Sequence, residues 1–470
     1  MAQPATTFKV HQIFFISPPQ ETPQTTLPFT FFDILWLRFP PVERLFFYEY
    51  PNLKPSFFDT IVLPILKHSL SLTLQHFPSL AGTITWPSHS PLPLITYNPG
   101  NSIPFTIAQT DVDFNVLSSD LSLVNTQRLN LIPHLTISHQ EASVLALQLT
   151  LFPNQGFCVG ITTHHAALDG KSSTLFMKSW AHISSQLKTP LSPSQTGFFS
   201  LPKHLTPLFD RSEIKDPLGI GEIYANSWLG FCGETNDRSL KVWQNLGGNQ
   251  SDLVKGLFEL TTLDIKKLKR LAESKVVGDR KKKVRVTSFT VTCAYLLACV
   301  VKAEEEEEKV ESTERVPFVF TVDCRARLDS PISGTYFGNC VIPRLVVMKR
   351  EEVLGEEGFF RSVEGMSEVL DEIEGDVLNG AENWISKIQS VMRERLFSIA
   401  GSTRFQVYDI DFGWGRPKKV DVTSIDKTGA FSLSESRDHC GGIEIGLALT
   451  KSQMEKFSEI FYQGLGSLES

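Results

Sequence analysis

The sequence predicts an α/β protein built as two mixed-sheet domains with a long crossover between them. Three observations predict it. A chain of 470 residues exceeds what one hydrophobic core usually holds. Helix-like and strand-like text alternates in both halves. Residues 188–218, KTPLSPSQTGFFSLPKHLTPLFDRSEIKDPL, form a Pro- and Ser-rich stretch between them. The chain therefore divides into an N-terminal domain 1–187, a crossover loop 188–218 and a C-terminal domain 219–470.

The elements follow in order. LPILKHSLSLTLQHF carries Leu63, Leu66, Leu70, Leu74 and Phe77 at spacings of three and four, which predicts an amphipathic helix. VLALQLTLF and FCVGITT read as strands, and Pro153-Asn154-Gln155-Gly156 supplies the turn of a hairpin. After Asp169-Gly170, SSTLFMKSWAHISSQL opens with capping residues and sets Phe176, Trp180 and Ile183 on one helical face. In the second half, TSFTVTCAYLLACVVKA reads as a helix starting near Thr287 or Ser288. PFVFTVDCRARL reads as a strand whose first part is buried on both faces. GGIEIGLAL is a late strand, and KSQMEKFSEIFYQGL closes the chain as a helix through Met454, Phe457, Ile460 and Phe461.

Composition narrows the function. Hydrophobic residues make up 41% and charged ones 21%, as in a soluble globular protein. With 45 basic and 52 acidic side chains the net charge is −7, which argues against a nucleic-acid-binding surface but leaves room for a local anion site. The first twenty residues lack the basic segment and long apolar run of a secretion signal. No run is expected to reach membrane-spanning length. Seven scattered cysteines without a CxxC pair read as reduced, mostly core thiols of a cytosolic protein, and the NQS at Asn249 is discounted as a glycosylation site. The basic run DRKKKVR (279–285) could bind phosphate beside a helix start. The acidic run EEEEEK (304–309) reads as a solvated loop.

The chemistry centres on GITTHHAALDGKSST, residues 160–174. Phe157, Val159, Ile161 and Thr163 share one strand face; Cys158, Gly160, Thr162 and His164 share the other. If the strand continues, His165 extends the bulkier face inward, where a neutral imidazole suits a general base. By spacing alone the pair reads more readily as two structural histidines, one hydrogen-bonded in the core, because H-x-x-x-D is a loose pattern. A metal site is not expected, because adjacent histidines on a strand do not aim at one ion and no further ligands cluster nearby. There is no G-x-S-x-G elbow and no phosphate-binding G-x-x-x-x-G-K-[ST] loop. In VYDIDFGWGRPKKV (407–420), Gly413 and Gly415 around Trp414 predict a tight turn, with Pro417, Lys418 and Lys419 as an exposed exit.

HHAALDG and DFGWG, about 240 residues apart, together resemble the plant BAHD acyl-CoA-dependent acyltransferase family. Further similarity runs through TLPFTFFDILWL (26–37), NSIPFTIAQTDVDFN (101–115), VDCRARL and SLSESRDHCGGIEIGLAL. TYFGNC (335–340) resembles the branch that acylates the sugars of flavonoid, isoflavonoid and other phenolic glucosides.

The resemblance implies two similar domains of chloramphenicol-acetyltransferase-like build, with a channel between them and the motif histidine at its middle. It implies His165 as general base for direct transfer from a thioester to a hydroxyl. It makes Asp169 a structural anchor paired with Arg325 or Arg327, Arg325 being favoured. Asp411, Gly413, Trp414 and Gly415 of DFGWG become structural, as do Tyr336 and Asn339 of YFGNC. Acyl-CoA enters as a co-substrate, not as a bound cofactor, near Lys283, Arg285, Thr287 and Ser288. Lys171 or Lys178 would meet a malonyl carboxylate, and Trp36 would meet substrate. The Thr and Trp implicated in the oxyanion site of some hydroxycinnamoyl-transferring relatives do not carry over, since IAGSTRF has no Trp. The expected activity is malonyl transfer from malonyl-CoA to the 6″-hydroxyl of a phenolic glucoside. The alternatives are hydroxycinnamoyl transfer to anthocyanin glucosides and, in a different class, a non-catalytic small-molecule-binding protein. The expected form is a cytosolic monomer without nucleic-acid or membrane partners.

Overall fold

A computed structural model describes residues 7–123, 126–187, 199–229, 237–243, 253–276, 284–305, 314–392 and 394–468. The architecture is two large mixed sheets with flanking helices. A six-stranded sheet holds, in order, Phe8–Ile16, Ile103–Thr110, Leu145–Phe152, Gly156–Thr163, Val42–Glu49 and Lys419–Val422. A seven-stranded sheet holds Val341–Lys349, Arg315–Asp323, Phe397–Gly401, Phe431–Glu435, Ile443–Thr450, Leu253–Leu260 and Leu121–Leu123. Each sheet is mainly antiparallel with one or two parallel pairs. A small four-stranded sheet stands apart from both.

The sheets exchange strands. Lys419–Val422 comes from the C-terminal half and pairs with Val42–Glu49. Leu121–Leu123 comes from the N-terminal half and pairs with Leu253–Leu260. A cut at residues 187 and 218 therefore divides the chain but not the sheets. The exchange also corrects the expected exposed exit after DFGWG. Pro417 and Lys419 are buried, because the chain there enters the sheet edge and Lys419 donates to the Ser119 carbonyl.

The hairpin forms as its alternation requires, Gly156 facing Phe152 and Asn154 adopting φ 62° in the turn. The helix Gly170–Gln186 buries Phe176, Trp180 and Ile183. Against it packs the helix Leu63–His76, whose Leu66 carbonyl and Ser69 hydroxyl accept from Trp180 Nε1 at 3.3 and 3.0 Å. Together with the turns before it, this helix makes a 22-residue run, Pro55–His76, long and apolar enough to cross a bilayer. That overturns the expectation that no run reaches such length. Half of its apolar stretch is buried inside the protein, where it covers a core helix.

The helix Ser288–Glu305 is buried along nearly its whole length. Its last turn corrects the reading of the acidic run as solvated. Glu304 is 3% exposed and pairs with Arg395 at 2.9 Å and Arg350 at 3.8 Å. Residues 306–309 lie outside the described residues, as do Cys232, Asn249 and Lys283. Of the six described cysteines, five are buried, and none is paired.

Candidate active site

The strand Gly156–Thr163 runs inside the six-stranded sheet and separates two cores. Phe157, Val159 and Ile161 join the large one, while Cys158 packs with Leu45 and Phe47 in the smaller. The strand does not continue into the histidines as expected. Its pairing ends at Thr163, the His164 amide donates to the Val144 carbonyl at 3.0 Å, and the chain turns. The turn separates the two imidazoles. His164 is fully buried, and its Nδ1 accepts from the Ala166 amide at 3.2 Å. His165 is half-buried, and its ring is part of a cavity wall.

The His165 ring lies flat on Trp36, centroids 4.5 Å apart and planes 8° apart, with Phe39 edge-on at 6.1 Å. Nδ1 is buried, which leaves Nε2 as the nitrogen that can meet a substrate. Burial in this aromatic setting lowers the His165 pKa to about 4, against the smaller opposing effects of its own backbone carbonyl and of Asp169. Burial, followed by the neighbouring His165, lowers His164 to about 3. Both rings are therefore neutral near pH 7, the form in which an imidazole accepts a proton.

Asp169 is not aimed at the His165 ring. Its Oδ1 accepts from the Ser172 amide at 2.8 Å and caps the helix Gly170–Gln186, a role the sequence reading gave to the residues after Gly170. Its Oδ2 accepts from the Cys340 amide at 3.1 Å and meets Arg325 Nη2 at 2.9 Å. Arg327 instead donates to the Asp323 carbonyl. Arg325 further reaches the carbonyls of Tyr336 and Gly338, and the Ser172 hydroxyl donates to Gly338 at 2.8 Å. The loop carrying the histidines and the TYFGNC loop are thereby interlocked. Gly338 is required at this crossing: its φ is +151°, and a Cβ there would lie 2.0 Å from Arg211 Nη1.

Asn339 completes the frame. Its Nδ2 donates to the His165 carbonyl at 3.0 Å and to Asp33 Oδ1 at 3.2 Å. Asp33 is fully buried, accepts from the Thr30 and Asn339 amides and lies 3.8 Å from Arg211. Arg211 in turn donates to the Tyr336 hydroxyl at 2.6 Å. Asp33 and Arg211 were not legible as site residues. A buried Asp–Arg pair 178 positions apart leaves no local pattern, and Arg211 sits in the stretch read as a linker.

DFGWG stands away from the chemistry. Asp411 Oδ1 accepts from the amides of Gly413 and Gly415 at 2.8 and 2.9 Å, and those glycines take φ of 106° and 104°. Phe412 packs edge-on against Trp180 at 4.8 Å, and Trp414 against Phe157 at 6.1 Å. Residues 411–415 contribute nothing to the cavity wall. The motif locks a turn against the back of the helix Gly170–Gln186.

The cavity has a volume of about 1540 Å³ and is walled by both sheets. That exceeds the roughly 300–1,000 Å³ usual for one small ligand, as a two-substrate channel requires. His165, Trp36, Lys171 and Lys178 line it from one side, Arg285, Thr287 and Ser288 from the other. Two expected substrate contacts are already engaged by carboxylates. The Lys171 ammonium is 3.0 Å from Asp323, so its charge is already countered. Arg285 is ion-paired with Asp371 and Glu374, so it is not a spare cation for CoA phosphate. Thr287 caps its helix, its hydroxyl accepting from the Thr290 amide at 3.1 Å. Trp36 serves chiefly as the surface on which the His165 ring rests.

The model of the Transferase family matches residues 7–463. The chain is 37% identical over 461 residues to phenolic glucoside malonyltransferase 1 of Arabidopsis thaliana, covering 94% of this chain and 93% of that protein. It is 36% identical over 466 residues to malonyl-CoA:anthocyanidin 5-O-glucoside-6″-O-malonyltransferase of Arabidopsis thaliana, covering 97% of each. Among solved structures, vinorine synthase superposes with a TM-score of 0.65 at 20% identity, covering 96% of both chains, a likeness of fold alone. The protein is an acyl-CoA-dependent O-acyltransferase. It belongs to the BAHD Transferase family.

Proposed function

We propose that the protein transfers malonyl from malonyl-CoA to a sugar hydroxyl, the 6″-hydroxyl, of a flavonoid, isoflavonoid or other phenolic glucoside. The observation that carries this reading is the near full-length similarity to two proteins named as malonyltransferases of phenolic and anthocyanidin glucosides.

In the proposed reaction both substrates meet at His165 in one channel. Nε2 takes the hydroxyl proton as the sugar oxygen attacks the thioester carbonyl. The C–O bond forms, the C–S bond breaks, and the proton passes to the departing thiolate. Proton transfer of this kind contributes roughly 100- to 10,000-fold, and holding both reactants in line supplies much of the rest. The lowered basicity of His165 keeps the imidazolium short-lived, which favours prompt return of the proton to sulfur. Asp169, Arg325 and Asn339 position the base without touching the reactants. The start of the helix Ser288–Glu305, with Thr287 and Ser288, is the proposed CoA contact, because amides at a helix N-terminus attract anions. The same reading takes the protein as a cytosolic monomer without nucleic-acid or membrane partners, on composition: a net charge of −7 and scattered cysteines without a CxxC pair.

The test is thiol release from malonyl-, acetyl- and coumaroyl-CoA in the presence of a phenolic glucoside, with product masses. A malonylated glucoside as the main product is expected. A coumaroylated product would replace the donor assignment, and no release from any donor would leave a binding protein.

A further inference from the structure

Arg44 lies on the strand Val42–Glu49, is 4% exposed, and lines the same cavity as His165. Its Nη1 donates to the Thr174 hydroxyl at 3.1 Å, and its Nε is buried without a partner. Among the described residues no carboxylate lies within ion-pair distance of it. Arg128, Lys255, Arg325 and Arg350, also buried, each have a carboxylate close by, while the buried Arg344 and Lys419 donate to backbone carbonyls. A buried guanidinium with one neutral partner is costly to maintain, so its natural complement is an anion that arrives with a ligand.

The surroundings fit one carboxylate. Lys178 is four residues beyond Thr174 on the same helix face, is half-buried, and also lines the cavity. It too lacks a carboxylate within ion-pair distance among the described residues. Glu435 is the acidic group whose field reaches both cations. Its Oε1 accepts from the Tyr408 amide at 2.9 Å, and its Oε2 is buried without a partner. The other acid near Lys178, Asp409, is exposed and 3.8 Å from Arg416. Two cations against one half-buried acid leave a single positive charge. Gly170 opens the approach: a Cβ there would lie 2.8 Å from the Phe405 ring and 3.8 Å from Arg44 Nη2. The guanidinium thus sits at the start of the helix that begins five residues after His165. Lys171, the cation nearest the motif in sequence, is countered by Asp323.

We propose that Arg44, assisted by Lys178, is the subsite for the free carboxylate of a dicarboxylic acyl donor, and that it sets the preference for malonyl- over acetyl-CoA. This rests on the malonyl-donor reading given above. The planar guanidinium can meet the carboxylate through two parallel N–H···O bonds, and it discriminates because acetyl leaves it buried and unpaired.

The experiment compares wild type, Arg44→Met, Arg44→Lys and Glu435→Gln with malonyl-CoA and acetyl-CoA on one phenolic glucoside. For Arg44→Met, kcat/KM with malonyl-CoA should fall about 10- to 100-fold while that with acetyl-CoA changes less than about threefold. Arg44→Lys should fall between them. Glu435→Gln, which keeps an acceptor for the Tyr408 amide, should lower KM for malonyl-CoA only. Thermal shift gives a readout without turnover. Malonyl-CoA should raise the wild-type Tm more than acetyl-CoA does, and Arg44→Met should abolish that difference without lowering the unliganded Tm. Equal losses with both donors, or an unchanged malonyl preference in Arg44→Met and Glu435→Gln, would overturn the subsite and leave the donor reading standing. A wild type that does not use malonyl-CoA would overturn both.

Discussion

Asn339 donates its side-chain amide to the backbone carbonyl of His165 at 3.0 Å, across 174 positions of sequence. The bond fixes the backbone of the base and leaves its ring free to meet substrate. It also ties a loop of one half of the chain to the reactive turn of the other.

Asn339→Ala should therefore act on rate through geometry. Displacing a positioned group by about 1 Å can cost on the order of 100-fold. We expect kcat to fall 10- to 100-fold with a smaller change in KM for either substrate. Steady-state kinetics on both substrates checks this, and an unchanged kcat would remove Asn339 from the positioning frame.

Asp169→Asn should cost stability as much as activity. It removes the charge facing Arg325, whose burial makes an uncompensated cation worth roughly 3–5 kcal/mol. Asp323, 3.0 Å from the same guanidinium, remains, so the lower end of that range is expected. Denaturant unfolding measures it. A variant with wild-type stability and no turnover would point to a direct chemical role instead.

The two histidines should separate cleanly. His165→Ala should fold with a near-wild-type Tm and lose 100- to 10,000-fold in kcat/KM. His164→Ala leaves a hole beneath the turn and the Ala166 amide without its acceptor. It should lower the Tm and retain much of the turnover. Equal kinetic losses in both would defeat the assignment of the base.

Acid should destabilise the protein through the same pair. Their ordinary pKa is 6.5, and in the fold burial lowers His164 to about 3 and His165 to about 4. Between those values and 6.5 the unfolded chain binds more protons, so stability rises with pH through this window and is complete above it. The Tm should fall as pH drops from 6.5 towards 4, and less steeply in His164→Gln. Where the protein stays folded, kcat/KM should show no titration of His165 between pH 8 and about 5.

Gly338→Ala should be severely destabilising, because its Cβ would occupy the place of the Arg211 guanidinium. Low soluble yield is expected, with partial recovery on combining it with Arg211→Ala. No recovery would mean that the positive φ alone dominates.

Local pattern determined much of this protein. The 3.6-residue spacing of Leu63 to Phe77 and the run of residues 145–163 around its turn specify a helix and a hairpin through contacts within each, and the structure has them as read. The motifs HHAALDG and DFGWG marked the family because each is a short, continuous turn with its own glycines and caps. Tertiary structure decided what depends on distant partners. His165 faces the channel because pairing stops at Thr163, and sequence gave no sign of that stop. Lys419 is buried because its strand joins the other sheet. Asp33, Arg211 and Arg44 matter through contacts or the want of them in space. Lys171 and Arg285, which looked like free cations, are countered by carboxylates far along the chain. Charge in a sequence is a count; whether it is free to hold a substrate depends on which side chains the fold brings within about 4 Å.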